Sequence, residues 1–135
     1  MNHVSFLIVE DHELHRETLL RTLSMLGAKS VISATNGAQA IRAARAALSK
    51  VEVVITDLMM PDVDGVELIT ALQRDFPDVA LVIVSADEFM LDVAAVIAAG
   101  RGLRVLGTLQ KPVDADKLRT LLDRYSPSLI RNQDK

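Results

Sequence analysis

Five short apolar runs alternate with five segments of helical periodicity along the chain. That alternation restricts the possible folds more than any single residue does. The runs are Val4 to Val9, Val31 to Ala34, Val51 to Thr56, Val79 to Val84 and Leu103 to Leu109. Short, β-branched stretches of this kind are how strands buried on both faces of a parallel sheet read. Between them, Leu19, Leu23 and Leu26 recur at helical spacing up to Gly27, a residue suited to stopping a helix. Ala38 to Ser49 is alanine-rich, with Ile41, Ala44 and Leu48 on one face. Val66, Ile69, Leu72 and Phe76 mark a third helix, ended by Pro77. Phe89, Val93, Val96 and Ile97 outline a fourth, stopped by Gly100 and Gly102, and Leu118, Leu121, Leu122 and Tyr125 a fifth.

A strand and helix every ~25 residues suits right-handed βα crossovers and a parallel sheet. The predicted fold class is therefore α/β, a doubly wound five-stranded parallel sheet with five helices. No repeat, linker or low-complexity block interrupts the pattern before the polar end of the chain. Residues 1–126 are expected to form one domain, and 127–135 a polar tail or the start of a linker.

The chain has 135 residues, enough for a three-layer α/β core without staples. It has no cysteine, which excludes a disulfide framework, a thiolate zinc site and a cysteine nucleophile. A net charge of -3 with scattered Lys and Arg gives no electrostatic footprint for nucleic acid. Neither a signal peptide nor an apolar stretch of membrane-spanning length is present in the sequence. The expectation is a cytoplasmic protein that contacts neither nucleic acid nor membrane directly.

Four of the five predicted strands carry a reactive polar residue at the carboxyl end: Glu10 and Asp11, Asp57, Ser85, and Lys111. In a doubly wound sheet these ends open on one edge, where ligands bind. Glu10, Asp11 and Asp57 are oxygen donors of the kind magnesium prefers, and a hard cation would relieve their mutual repulsion. Lys111 offers a mobile positive charge with three donors for a phosphoryl oxygen, or for Asp57 when no phosphoryl is present. An aspartate can itself attack phosphorus once neighbouring charge is neutralised. Each residue also has a structural reading: Glu10 and Asp11 as helix-capping charges, Asp57 as the start of a turn, Ser85 as a strand-end hydroxyl, Lys111 as a surface lysine. His12 and His15 read as surface histidines, since no cysteine supports a metal pair.

The motifs Val9-Glu10-Asp11, Asp57-Leu58-Met59-Met60-Pro61-Asp62-Val63-Asp64-Gly65, Ser85-Ala86 and Lys111-Pro112 together resemble the receiver domain of bacterial two-component response regulators, from Val4 to Tyr125. The resemblance implies a flavodoxin-like receiver fold with strand order 2-1-3-4-5. It implies a phosphorelay phosphoprotein in which Asp57 accepts a phosphoryl group from a sensor histidine kinase or phosphotransfer protein. Asp11 and Asp57 would ligate Mg2+ directly, Glu10 through water, and Met59 through its backbone carbonyl. Ser85 and Lys111 would hold the phosphoryl oxygens, and the Lys111-Pro112 peptide would be cis. Such a domain is no conventional enzyme, for it catalyses only its own phosphorylation and dephosphorylation.

One position departs from the pattern. Many receivers carry Tyr or Phe three residues before the lysine, and here that residue is Thr108. The segment from Ala99 to Pro112 is similar to receivers joined to EAL-type cyclic-di-GMP phosphodiesterase domains, which implies an output domain or downstream protein. A free-standing receiver, a fragment of a larger regulator, and a homodimer through the fourth helix all remain open at this point. Two alternative functions stand beside the first. One is a haloacid-dehalogenase-like phosphatase built on Asp62-Val63-Asp64-Gly65-Val66, whose nucleophile would not directly follow a strand. The other is a receiver that binds partners without phosphorylation.

Overall fold

The computed structural model describes residues 4–47, 50–57 and 65–125. The strands are β1 (Ser5–Val9), β2 (Ser30–Ala34), β3 (Val53–Asp57), β4 (Ala80–Ser85) and β5 (Arg104–Gln110). The helices are α1 (Glu13–Met25), α2 (Gly37–Ala46), α3 (Gly65–Asp75), α4 (Glu88–Gly100) and α5 (Ala115–Tyr125). All strand pairs are parallel and the order is β2-β1-β3-β4-β5, as expected. The chain steps outward from β1 to β2 and then returns past β1 to β3. The reversal opens a crevice beyond the carboxyl ends of β1 and β3, where the Glu10-Asp11 pair and Asp57 lie.

The two-residue period of the strands sends alternate side chains to opposite layers. Leu7 and Val9 of β1 pack with Ala40 and Ala44 of α2, Leu68, Ile69 and Leu72 of α3, and Leu91, Ala94 and Ala98 of α4. Phe6 and Ile8 pack on the other side with Leu19 and Leu23 of α1 and Leu118, Leu121 and Leu122 of α5. Every residue of β3 and β4 is buried, which accounts for their nearly uninterrupted apolar sequence. Among the described residues, no helix is long and apolar enough to cross a membrane.

The periodicity misplaces the packed face of α4. Phe89 is 69% exposed and Val96 73%, while Leu91, Ala94 and Ala98 meet the core. Alanines let the helix backbone approach the sheet closely, and a helix that is apolar most of the way round offers several stripes of equal spacing. Smaller differences lie at element ends. Asp57 and Ser85 are the last residues within their strands rather than the first beyond them. Helix α2 ends at Ala46, because Ala47 turns to extended backbone, φ -64 and ψ 132. The expected continuation to Leu48 and Ser49 lies outside the described residues, as do Met59, Met60, Pro61, Asp62 and Asp64 and the tail from 126 to 135.

Strand β5 carries an irregularity that fixes one glycine. Leu81 pairs with Val105 but Val82 with Gly107, so Leu106 is the extra residue of a bulge. A Cβ on Gly107 would lie 2.5 Å from Cδ2 of Leu121, a buried α5 side chain. Gly107→Ala is expected to destabilise the fold by about 1–3 kcal/mol through overpacking. Urea denaturation measures this directly, and an unchanged midpoint would mean that Leu121 yields without strain.

Candidate functional site

The Glu10 N–H continues the sheet ladder beyond β1, donating to the Ala34 carbonyl at 3.0 Å, and this draws the acidic side chain into the interior. Glu10 is fully buried, whereas its neighbour Asp11 is exposed. The next residue, His12, turns the chain. Its N–H donates to Glu10 Oε2 at 3.2 Å, and its Nδ1 accepts from the His15 N–H at 3.4 Å, capping α1. Asp57 closes β3 and is buried. Its register partner on β4 is Val84, so Ser85 lies one residue further along the neighbouring strand. Lys111 follows β5 directly, its N–H donating to the Ser85 carbonyl at 2.9 Å, and its peptide bond to Pro112 is cis.

The amine of Lys111 brings the strand ends together. Nζ donates a hydrogen bond to Asp57 Oδ2 at 2.5 Å and lies 2.5 Å from Glu10 Oε1. The Glu10 contact is a close ion pair, and it gives the buried Oε1 its partner. Burial pushes the Glu10 carboxyl above its ordinary range, a push that Asp57 reinforces and that Lys111 and the His12 N–H only partly offset. Burial works to lower the Lys111 amine, but its contacts with Asp57 and Glu10 outweigh this and raise it, so the side chain stays charged. His15 is held below its ordinary value by desolvation and by the positive neighbour Lys111, with His12 adding to the effect.

Carboxylate oxygens of Glu10, Asp11 and Asp57 all lie within 4.8 Å of one another. Three hard oxygen donors at that separation fit a hard divalent cation such as Mg2+. Of the residues singled out by sequence, Glu10, Asp11, Asp57 and Lys111 meet in one cluster. Ser85 joins by register, with Oγ accepting from the Asp87 N–H at 3.1 Å. Asp87 in turn caps α4, accepting from the N–H groups of Phe89 and Met90. Met59, expected to offer a carbonyl, lies outside the described residues. Sequence reasoning took His15 for a surface histidine and missed its contact with the site, Nδ1 lying 3.1 Å from Lys111 Nζ. Its place in the first turn of α1, just beyond the acidic pair, was the available signal.

The family model described as the response regulator receiver domain matches residues 6–123. The positive alginate biosynthesis regulatory protein of Pseudomonas aeruginosa is 32% identical over 126 residues, which cover 91% of this chain and 47% of that protein. The two-component response regulator ORR41 of Oryza sativa is 30% identical, with 90% of this chain and 94% of ORR41 covered. A solved response regulator from Colwellia psychrerythraea superposes with a TM-score of 0.75 at 27% identity, covering 91% of this chain and 96% of that one. The chain spans about half the length of the alginate regulator and a fifth or less of three further curated relatives. With the matched segment running through nearly the whole fold, this chain belongs to the response regulator receiver domain family.

Proposed function

We propose that Asp57 is the phosphoacceptor of a two-component relay and that Glu10, Asp11, Ser85 and Lys111 serve it. One Asp57 oxygen attacks the phosphorus of a phosphohistidine on a histidine kinase or phosphotransfer protein. The P–N bond breaks with its electron pair leaving on the imidazole, and a P–O bond forms, giving an aspartyl phosphate. Hydrolysis reverses the load: water attacks phosphorus, the P–O bond breaks, and the carboxylate departs from inorganic phosphate. The Lys111 ammonium exchanges Asp57 Oδ2 for a phosphoryl oxygen, so its charge follows the group that needs it. Ser85 donates its O–H to another phosphoryl oxygen, which its Oγ can do while still accepting from the Asp87 N–H. Mg2+ would be held by Asp11 and Asp57, with Glu10 through water and the Met59 carbonyl as further expected contacts, and would supply charge neutralisation for the transferring group.

The observation that carries this reading is the amine of Lys111 lying 2.5 Å from carboxylates on two different strand ends, both within 4.8 Å of a third carboxylate, Asp11. A cation poised there neutralises the acceptor at rest and is free to turn toward an incoming phosphoryl group. We read residues 1–126 as the receiver and 127–135 as a polar tail or the start of a linker. The chain matches only about half of the P. aeruginosa regulator, which supports an output carried on a further segment or a separate partner. Treatment with acetyl phosphate and Mg2+ should add one acid-stable, base-labile phosphoryl group, and peptide mapping by mass spectrometry should find it on Asp57. Phosphate on a serine or on Asp62 would reject the assignment.

A further inference from the structure

We infer that His15 is a positioning residue for Lys111: its Nδ1 accepts an N–H of the ammonium and holds it against Asp57 and Glu10 when no phosphoryl group is present. The inference rests on the receiver reading for its purpose but not for its geometry. Lysine has no acceptor, so the 3.1 Å contact between Nζ and Nδ1 has one possible direction, with the imidazole accepting. That requires Nδ1 to be unprotonated and the neutral ring to carry its hydrogen on Nε2. The ring is not loosely placed. It stacks on His12 with centroids 4.2 Å apart, and His12 Nδ1 accepts from the backbone N–H of His15 itself. The cap of α1 and the stacked ring thus place His15, and His15 adds a third contact to an amine that two carboxylates already hold.

This arrangement sets up a competition. The ammonium occupies Asp57 Oδ2 and Glu10 Oε1, two of the carboxylate groups that would receive a divalent cation. An acceptor that stabilises the ammonium there opposes cation binding, so removing it should favour the cation. A water molecule can partly replace an imidazole that is 46% exposed. The expected change is therefore that of one ordinary hydrogen bond, about 2- to 10-fold in affinity.

The test uses the full chain with histidine ring nitrogens labelled with 15N, free of metal and at about pH 8, above the ordinary imidazole range. His15 should give a pyridine-type Nδ1 and a pyrrole-type Nε2, with the Nδ1 resonance shifting in Lys111→Met. Mg2+ titration followed by amide NMR should show His15→Leu binding about 2- to 10-fold more tightly than the parent. His15→Gln, whose amide oxygen can accept from Lys111, should return toward the parent value. A protonated Nδ1 in the parent, or equal Mg2+ affinity for parent and His15→Leu, would overturn the inference. Phosphate mapped to a residue other than Asp57 would instead reject the receiver assignment, while leaving the tautomer result readable.

Discussion

Asp57→Asn takes up no phosphoryl group from acetyl phosphate and Mg2+ while keeping the native fold. This outcome follows from what the amide preserves and what it removes. Its shape is that of the carboxylate, so the buried end of β3 keeps its packing and its pairing with β4. Its oxygen can still accept from Lys111, although without the charge that strengthens the present bond. Repulsion with Asp11 and Glu10 falls at the same time. The net stability change should stay within about 1 kcal/mol, because a charge-assisted bond is weakened while like-charge repulsion is relieved. The chemistry has no such offset: a neutral amide oxygen is a poor nucleophile toward phosphorus, and its adduct is unstable. Intact-mass spectrometry after phosphodonor treatment reads the first effect, and urea denaturation the second. Phosphoryl incorporation in Asp57→Asn at the parent level would end the assignment of this residue as the acceptor.

Much of the architecture was readable because strands buried on both faces leave little choice of residue. The Val53–Asp57 and Ala80–Ser85 strands have no solvent face, and nearly continuous β-branched sequence is the result. The convergence of Glu10, Asp11, Asp57 and Lys111 was readable too, since a doubly wound sheet carries all its strand carboxyl ends to one edge. Element ends were less so: whether Asp57 is the last residue of a strand or the first of a loop depends on ladder hydrogen bonds, which residue type does not report. The outer helix α4 was misread for a different reason. Its apolar residues cover more than one stripe, and the packed stripe was the one with small side chains, Ala94 and Ala98, rather than Phe89 and Val96. Hydrophobicity ranks those candidates in the opposite order from close approach to the sheet. His15 was read as a surface histidine because an exposed histidine has many uses, and only coordinates show an amine from residue 111 arriving beside its ring.

Lys111→Met is expected to destabilise the metal-free protein by about 2–3 kcal/mol near neutral pH. Removing one partner of a fully buried ion pair costs ~3–5 kcal/mol, and the lower figure reflects the 13% exposure of the Lys111 side chain, which lets water screen the loss. Methionine keeps the stem that lines the cleft beside Leu14, Leu19 and Pro112, so the change isolates charge from packing. The stranded group is Glu10, which is buried and already held above its ordinary value of 4.5. Without Lys111 a contribution that lowers it is gone, and it rises further. A carboxyl raised in the folded state binds its proton there more tightly than in the unfolded chain. Stability associated with Glu10 is therefore fully present below 4.5 and is lost as pH climbs through the raised folded value. The penalty of Lys111→Met should thus be small in acid and grow toward neutral pH. Mg2+ should recover more stability in the variant than in the parent, because a cation held by Glu10, Asp11 and Asp57 replaces the missing positive charge. Urea denaturation across this pH range, in chelator and in Mg2+, measures both effects. A loss of equal size at every pH with no recovery in Mg2+ would mean that the cost comes from how the methionine packs rather than from the missing charge, and that the carboxylates beneath it need no counter-charge.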